Sequence, residues 1–595
     1  KAVTQTLGKN AKIKEVETEI EVHKVQILDP ATGTGTFLAE VVKHIHKKFE
    51  GQQGIWSKYV TKDLIPRLNG FELLMASYAM AHLKMDMLLT ETGYRPPTPE
   101  GGAEPQRLKI FLTNSLEEAH PDTQTLFSSW LSDEADQANA IKRDAPVMVV
   151  IGNPPYSGES ANKGEWIMNL MEDYKKEPGG KEKLKERNPK WINDDYVKFM
   201  RFGQHFIDKN GSGILAYISN NSFIDGITHR QMRKHLLESF DKIYILDLHG
   251  NAKKKEVSPD GSPDQNVFDI MQGVSINLFI KTGKKKKNEL GEIFHYDLYG
   301  KRDYKYEFLS QNLKDLKWNN LKFEEPYCFF VPKDFSLQDK YEKGLKIDKL
   351  FNENVAGIET IRDAITIHFD ENSLKEVVND FMELDENQIS KKYNTTDARD
   401  WKIGRAKEDI RNNLNNKKVW QNVSYRPFDI RKTFYSGKQN GFVCNGRYNV
   451  MKHLLSDNLG FIAKRGFYNE NSPVAFITKY ISDRRGWSSP GMQGAESIFP
   501  LYLYPETNNQ QNAFESSVDR VPNLNMEIVN EIAKGLGLAF TPEKEDGNVC
   551  LANDKDVRSE YKTTFAPIDL LDYIYAVLHS PSYREKYKEF LKIDF

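Results

Sequence analysis

Residues Lys24–Phe49 read KVQILDPATGTGTFLAEVVKHIHKKF. A short β-rich apolar run stops at Asp29, glycines stand at 33 and 35, and from Thr36 onward apolar residues recur at helical spacing. The pattern is strand, tight turn, helix. Gly33 and Gly35 let the backbone turn sharply and lie against a ligand with a helix N-terminus behind it; a turn that serves only the fold reads the same. No Lys-Ser/Thr pair follows the glycines, so this is not a Walker loop and phosphate binding is disfavoured.

The alternation continues for about 300 residues. LNGFE, LKIFLTN, VMVVIGN, GILAYISN, KIYILDLHG and GVSINLFIKTG read as strands, and MASYAMAHLKMDMLL, YVKFMRFGQHFI and THRQMRKHLLESF as helices. Strands alternating with helices predict an α/β, Rossmann-like domain with a largely parallel sheet and helices on both faces, whose ligand sites lie at the carboxyl ends of the strands. After about residue 300 the texture turns to Tyr/Phe/Trp/Asn-rich segments without βα alternation, so the expected domains are 1–300 and 301–595, the second a mixed α+β unit. Two amphipathic helices, NMEIVNEIAKGLG and PIDLLDYIYAVLHSPSYREKYKEFLK, close it, and no internal repeat is visible.

A chain of 595 residues is too long for one core. Its three cysteines, Cys328, Cys444 and Cys550, show no paired spacing, which excludes a disulfide framework and a zinc knuckle and points to the cytoplasm. No metal-ligand set is readable. Neither a run of roughly 18 apolar residues nor the apolar core of a signal peptide is present. The chain lacks an initiating Met, and is expected to be a piece of something longer. The net charge of −2 says little, but its distribution is uneven: residues 351–400 carry 5 Lys+Arg against 12 Asp+Glu, and residues 401–500 carry 17 against 7. A basic, aromatic-rich segment follows an acidic one, which is either a pair of solvated faces or a nucleic-acid surface.

Three further strand ends carry side chains of interest. Glu72 closes LNGFE, where a carboxylate suits ribose hydroxyls or simply faces water; Asn114 and Ser115 close LKIFLTN, where a helix cap is the plain alternative. The fourth end is Asn153-Pro154-Pro155-Tyr156, an amide, two prolines and a phenol with no acid, base or metal ligand among them.

Taken together the four ends resemble the amino-type S-adenosyl-L-methionine-dependent DNA methyltransferases. The resemblance implies that Asp29, Ala31, Thr32, Gly33, Gly35, Phe37, Glu72, Asn114 and Ser115 hold the cofactor and that Asn153, Pro154, Pro155 and Tyr156 form the catalytic loop. An exocyclic base amine is a poor nucleophile because its lone pair is conjugated into the ring. The resemblance assigns two acceptors to its N–H groups, the Asn153 side-chain oxygen and the Pro154 carbonyl, which favour a tetrahedral nitrogen. Catalysis is then positioning plus hydrogen-bond electrostatics. The prolines fix the carbonyl, and Tyr156 offers a face to a flipped base, with Phe268 as a second face. Asn at the first position resembles the adenine-N6 branch. Asp195, Tyr196 and Phe199 are weaker candidates for the pocket, since aromatics at helical spacing are more often core.

The segments GFELLMASYAMAHLKM, NPPYSG, FDIMQGVSI, SYRPFDIRKTFY and GRYNVMKHLLSDNLGF also resemble the methyltransferase and target-recognition portion of type ISP restriction-modification enzymes. That implies double-stranded DNA with a specific recognition sequence as partner, and upstream nuclease and helicase-like domains in the full-length protein. Two departures stand out: the block that usually precedes the glycine turn is not visible before Asp29, and neither a Walker loop nor a nuclease carboxylate cluster is readable. In this context Arg465, Arg484 and Arg485 are expected to include a base reader, and Lys417 and Lys418 to contact phosphates. For YRPFD a structural role is favoured, with Arg426 and Asp429 paired across a turn. The expected activity is site-specific DNA adenine-N6 methylation. A non-catalytic recognition module for attached motor and nuclease domains, and methylation of a non-DNA amide or amine, are the alternatives.

Overall fold

The computed structural model describes residues 2–5, 14–17, 22–97, 106–118, 129–158, 160–185, 190–286, 288–311, 316–398, 400–464, 475–486, 495–505, 520–544, 563–591 and 593. In it β1 (Gln26–Asp29) leads through the glycine turn into α1 (Thr36–Lys47), as predicted. The sequence then forms β2 (Leu68–Glu72), α2 (Met75–Glu91), β3 (Lys109–Leu112), α3 (Ser129–Asp144), β4 (Val147–Gly152), α4 (Asp195–Asn210), β5 (Gly213–Asn220), α5 (Arg230–Ser239), β6 (Lys242–Asp247) and β7 (Val274–Lys281).

Alternation along the strands puts helices on both faces. Ile27 and Ile110 pack with Leu38, Val42, Ala81 and Met85 of α1 and α2, while their neighbours Leu28 and Phe111 pack with Ile141 of α3 and Val197, Met200 and Phe202 of α4. The nine-stranded sheet has the order β9-β8-β6-β7-β5-β4-β1-β2-β3, in which β8 (Glu292–Asp297) and β9 (Asn319–Leu321), joined through α6 (Arg302–Ser310), form one edge. All pairings are parallel except those of β7 with β5 and β6 and of β9 with β8. The chain leaves β1 toward β2 on one side and later returns as β4 on the other. That reversal opens a crevice at the carboxyl ends of β1 and β4.

The chain divides into compact units at Lys1–Lys333 and Asp334–Phe595, not at residue 300. β8, α6 and β9 still extend the first sheet, the Phe330 N–H donates to the Ile224 carbonyl, and the buried Arg233 guanidinium donates to the carbonyls of Tyr327 and Cys328. The changed texture after residue 300 belongs to a half-exposed sheet edge, where only alternate residues face the core.

The second unit holds a four-stranded antiparallel sheet in the order β10-β16-β13-β14, made of β10 (Val355–Ala356), β13 (Gly460–Ala463), β14 (Ala475–Thr478) and β16 (Ser497–Pro500). A hairpin of β11 (Trp420–Arg426) and β12 (Asp429–Phe434) takes β15 (Ile481–Ser482) alongside β11. Helices α7 (Glu371–Glu383) and α8 (Ile403–Asn413) cover the hairpin through Val378, Phe381, Ile410 and Phe434; α9 (Met526–Leu536) and α10 (Pro567–His579) pack on Phe461 and Phe499. The unit is mixed α+β, as expected.

Candidate active site

Parallel pairing of β1 with β4 brings the glycine turn and the NPPY loop together at adjacent strand ends. Gly35 has φ +80, and its missing Cβ would lie 3.4 Å from the Ala81 Cβ, so α2 presses directly on the turn. Gly33, at φ +55, has open space where a Cβ would stand. Both angles lie in the left-handed region that glycine enters without strain. Glu72 braces this turn: Oε2 accepts the Gly33 N–H at 2.8 Å, and Oε1 accepts the N–H groups of Leu73 and Leu74 at 2.9 and 2.8 Å. This bracing role is one that neither sequence reading of Glu72, ribose acceptor or plain surface carboxylate, contained.

Asp29 is fully buried beneath the switch point. Its Oδ1 accepts the Ala31 N–H at 3.1 Å, and its Oδ2 has no hydrogen-bond partner among the described residues. Burial, reinforced by the charge of Glu72, pushes its carboxyl up to about 7. Gly152 is required at the end of β4 because a Cβ there would lie 2.7 Å from Asp29 Oδ1. Thr32 is buried, its hydroxyl on the Asp29 carbonyl and its N–H on the Phe71 carbonyl; Ala31 and Phe37 are half-buried. Ser115, 3% exposed, donates its hydroxyl to the Pro30 carbonyl and ties two strand ends together. Asn114 accepts the Leu116 N–H and donates to Asn162 Oδ1 at 3.0 Å, so it caps a turn and also reaches the segment that follows the NPPY loop.

Asn153 and Pro155 are exposed at the mouth, whereas Pro154 is buried and Tyr156 half-buried. The Tyr156 hydroxyl donates to Asn153 Oδ1 at 2.7 Å. Burial raises the phenol above its usual range, so it remains a donor and aligns the amide. The loop is held from behind by α4. The Ser157 N–H donates to Asp194 Oδ1 at 2.9 Å, Asp195 Oδ1 accepts from Ser160 and from Asn162 Nδ2, and Lys198 donates to Ser160 Oγ and the Asn162 carbonyl. Asp195 is thus an anchor, and Tyr196 and Phe199 are core residues; the composition of that helix did not separate these roles. Phe268 is half-buried, and it and Tyr156 both pack against Leu246, Leu248, Val267, Val274 and Leu298, which places two aromatic rings on one apolar wall. The Phe268 loop is fixed by Arg302, which donates to the carbonyls of Asn266 and Phe268.

A second feature went unread in the sequence. A cavity of about 260 Å³ lies at the carboxyl ends of β5, β6 and β8, lined by Asn221, Asp225, Asp247, His249, Glu256 and Asp297 among others. His249 has its ring nitrogens 2.8 Å from Glu256 and from Asp297, and its ring stacks on Tyr299 at 3.8 Å. Although burial opposes it, these carboxylates hold the imidazole protonated up to about 10. Separation in sequence hid the cluster: β6 and β8 bring Asp247 opposite Asp297 only in the sheet.

Residues 102–253 match the Eco57I restriction-modification methylase family, and residues 349–595 match the Type ISP C-terminal specificity domain. The chain thus carries a methylase-family match in its first unit and a specificity-domain match in its second. The methylase match includes the NPPY loop and begins after the glycine turn, which belongs to the same sheet. Among solved structures, the chain is similar to the ATP-dependent Type ISP restriction-modification enzyme LlaBIII bound to DNA, with 22% identity and a TM-score of 0.68 over 96% of this chain and 35% of that one. It is also similar to a DrdV–DNA complex (21%, 0.64, 96% and 52%) and to a nuclease-deletion mutant of the Type ISP enzyme LlaGI in complex with a DNA substrate mimic (19%, 0.64, 96% and 42%). The chain spans about a third to a half of the length of these structures. No curated protein sequence matches it. The likeness shows a Rossmann-like methyltransferase fold followed by a specificity domain.

Within the second unit the basic residues separate. Lys417 and Lys418 are exposed on a short 3-10 turn, and Arg485 is exposed, with no hydrogen bond or ion pair to its guanidinium among the described residues. Arg484 donates to Glu359 Oε1 at 2.8 Å. Arg465 lies outside the described residues. The expected Arg426–Asp429 pair is not formed: Arg426 donates to Asp483 at 2.9 Å, and Asp429 is held by Nε and Nη2 of Arg431. Cross-strand geometry explains the exchange, since β15 runs beside β11 and delivers Asp483 to Arg426. A structural role for the motif stands, with different partners.

Proposed function

We propose that the chain is a site-specific DNA adenine-N6 methyltransferase using S-adenosyl-L-methionine, the modification and specificity part of a restriction-modification enzyme that works in the cytoplasm. The observation that carries this reading is the meeting, at adjacent ends of β1 and β4, of a carboxylate-braced glycine turn and the NPPY loop, whose exposed Asn153 is aligned by the Tyr156 hydroxyl. The residues fit the cofactor: Gly33 leaves an uncluttered backbone surface, Glu72 retains lone pairs for ribose hydroxyls, and the α1 N-terminus has no side-chain cap. When bound, the cofactor supplies an electrophilic sulfonium methyl.

Asn153 Oδ1 and the Pro154 carbonyl accept the two N–H groups of the target amine, drawing its nitrogen toward a tetrahedral shape and releasing the lone pair. The Tyr156 hydroxyl keeps the amide aligned through the second lone pair of Oδ1. Tyr156 and Phe268 supply apolar faces for an adenine taken out of the stack. Asp194, Asp195 and Lys198 keep the loop from yielding, and the amine proton passes to water along the polar mouth. Lys417, Lys418 and Arg485 are the contacts proposed for DNA, with upstream nuclease and helicase-like domains in the full-length protein. The test is transfer of labelled methyl groups to duplex DNA followed by nucleoside analysis. N6-methyladenine is expected; N4-methylcytosine, or label entering only RNA or protein, overturns the proposal.

A further inference from the structure

The hairpin of β11 and β12 turns through Pro427 and Phe428, between Arg426 and Asp429, whose backbones face each other in register while their side chains take other partners. Phe428 has φ +63, at the second corner position where turns with positive φ take glycine or asparagine. A bulky side chain there is strained, because its Cβ crowds the following carbonyl oxygen. No burial offsets this, because Phe428 is 96% exposed; its only ring contact among the described residues is edge-on to Phe476 at 5.9 Å. The mount beneath it is stiff. Tyr425 is sandwiched between the guanidinium groups of Arg426 and Arg431, at 3.7 and 4.3 Å from its ring, and its hydroxyl donates to Asp363. Both arginines are locked onto carboxylates, and the far face of Arg431 covers Phe369 at 3.9 Å.

An aromatic ring held out at full exposure, in a backbone conformation that costs stability, on a braced two-strand arm, has its return in a complex and not in the isolated fold. We infer that Phe428 is a wedge that inserts between adjacent base pairs of duplex DNA. The surroundings favour nucleic acid over a protein surface. β15 runs parallel to β11 with Ser482 opposite Ser424, so the chain that continues past it brings the exposed Arg485 alongside the tip; the Gly486 Cβ position is 4.0 Å from the Tyr425 carbonyl. A cation beside the ring meets the phosphate that flanks a parted base step. Apolar side chains placed in this way unstack and kink a duplex, easing the removal of a base from it. The inference rests on the reading of the chain as a DNA-binding methyltransferase.

Phe428→Asn separates a wedge from a structural residue, because asparagine relieves the backbone strain while removing the ring. The variant is expected to melt at or above the wild-type temperature, to bind duplex DNA about tenfold more weakly, and to unwind closed circular DNA less per bound molecule when relaxed with a topoisomerase. Phe428→Trp, which restores a stacking face, is expected to recover both DNA readouts. Equal affinity and equal unwinding for wild type and Phe428→Asn overturn the wedge and leave the DNA reading intact. A lower melting temperature with unchanged DNA binding assigns the ring to the fold instead. Failure of the wild type to bind duplex DNA overturns the functional reading itself, and the wedge with it.

Discussion

Asn153, Glu72 and Asp29 test the site one side chain at a time. Asn153→Ala is expected to lower methyl transfer by about a hundredfold or more while calorimetry shows cofactor binding nearly unchanged, because the role proposed for the amide is toward the target amine and not the cofactor. Tyr156→Phe keeps the ring and loses only the hydroxyl that aligns the amide, so its transfer rate should fall far less than that of Tyr156→Ala. Glu72→Ala should weaken cofactor binding by about 1.5–3 kcal/mol. It should lower the melting temperature too, since three N–H groups lose their acceptor. Wild-type stability in that variant would remove Glu72 from the bracing of the turn. For Asp29 the ordinary value of 3.8 becomes about 7 in the folded chain. Folding therefore favours its protonated form, and that contribution is present below about pH 4 and lost as the pH rises through about 7. Urea unfolding at pH 5 and pH 8 should show the wild type losing stability relative to Asp29→Asn, by up to about 2–3 kcal/mol, since part of the loss is already complete at pH 5. A difference that stays constant with pH would mean that the carboxyl is not held neutral.

At the scale of elements, the NPPY loop is rigid by attachment as well as by proline. Proline fixes two φ angles, but the direction of the loop after Tyr156 depends on Asp194, Asp195 and Lys198 of α4, about forty residues on. Of these only Lys198 was legible within a helix, Asp194 and Asp195 lying before the run read as helical, and none was legible as an anchor, since nothing in periodicity states which loop a helix faces. The cluster around His249 is a similar case. Folding raises its imidazole from 6.5 to about 10 through Asp297 and Glu256, so its stabilisation is complete below pH 6.5 and is lost as the pH rises through about 10. Denaturation at pH 7 and pH 10 should therefore show the wild type losing more stability than His249→Asn. Parallel loss in both would assign the alkaline limit to other groups.

At the scale of the molecule, the boundary at Lys333 makes a prediction that a boundary at 300 does not. A chain ending at residue 333 should fold and bind S-adenosyl-L-methionine, whereas one ending at residue 300 removes β9 and leaves the buried Arg233 without the carbonyls of Tyr327 and Cys328. Arg233 Nη1 keeps the carbonyls of Phe223 and Gly226, but Nε and Nη2 lose their acceptors, and a buried donor left unmade costs about 1–3 kcal/mol, a large share of a domain's stability. Circular dichroism and cofactor calorimetry on the two fragments decide between the boundaries. In the second unit, Arg485→Ala is expected to relax preference at one base pair by about 1–3 kcal/mol, whereas Lys417→Ala should weaken all sequences alike and lower the salt slope by about one. Uniform loss in both would move sequence reading to other residues.

By itself the sequence determined the strand-turn-helix order of the first unit, the strand ends that carry Asp29, Glu72, Asn114 and Asn153, and the basic character of residues 401–500. All of these follow from local periodicity, from the glycines and prolines that interrupt it, and from counts of charge. Tertiary structure alone decided that β7 enters antiparallel between β5 and β6, that Glu72 braces Gly33, that Arg426 takes Asp483 and not Asp429, and that Phe428 stands in solvent while Phe434, six residues later in the same hairpin, is buried. Each of these depends on which strands become neighbours. Pairing is settled by register and packing between segments tens to hundreds of residues apart, and a window of sequence does not contain both partners.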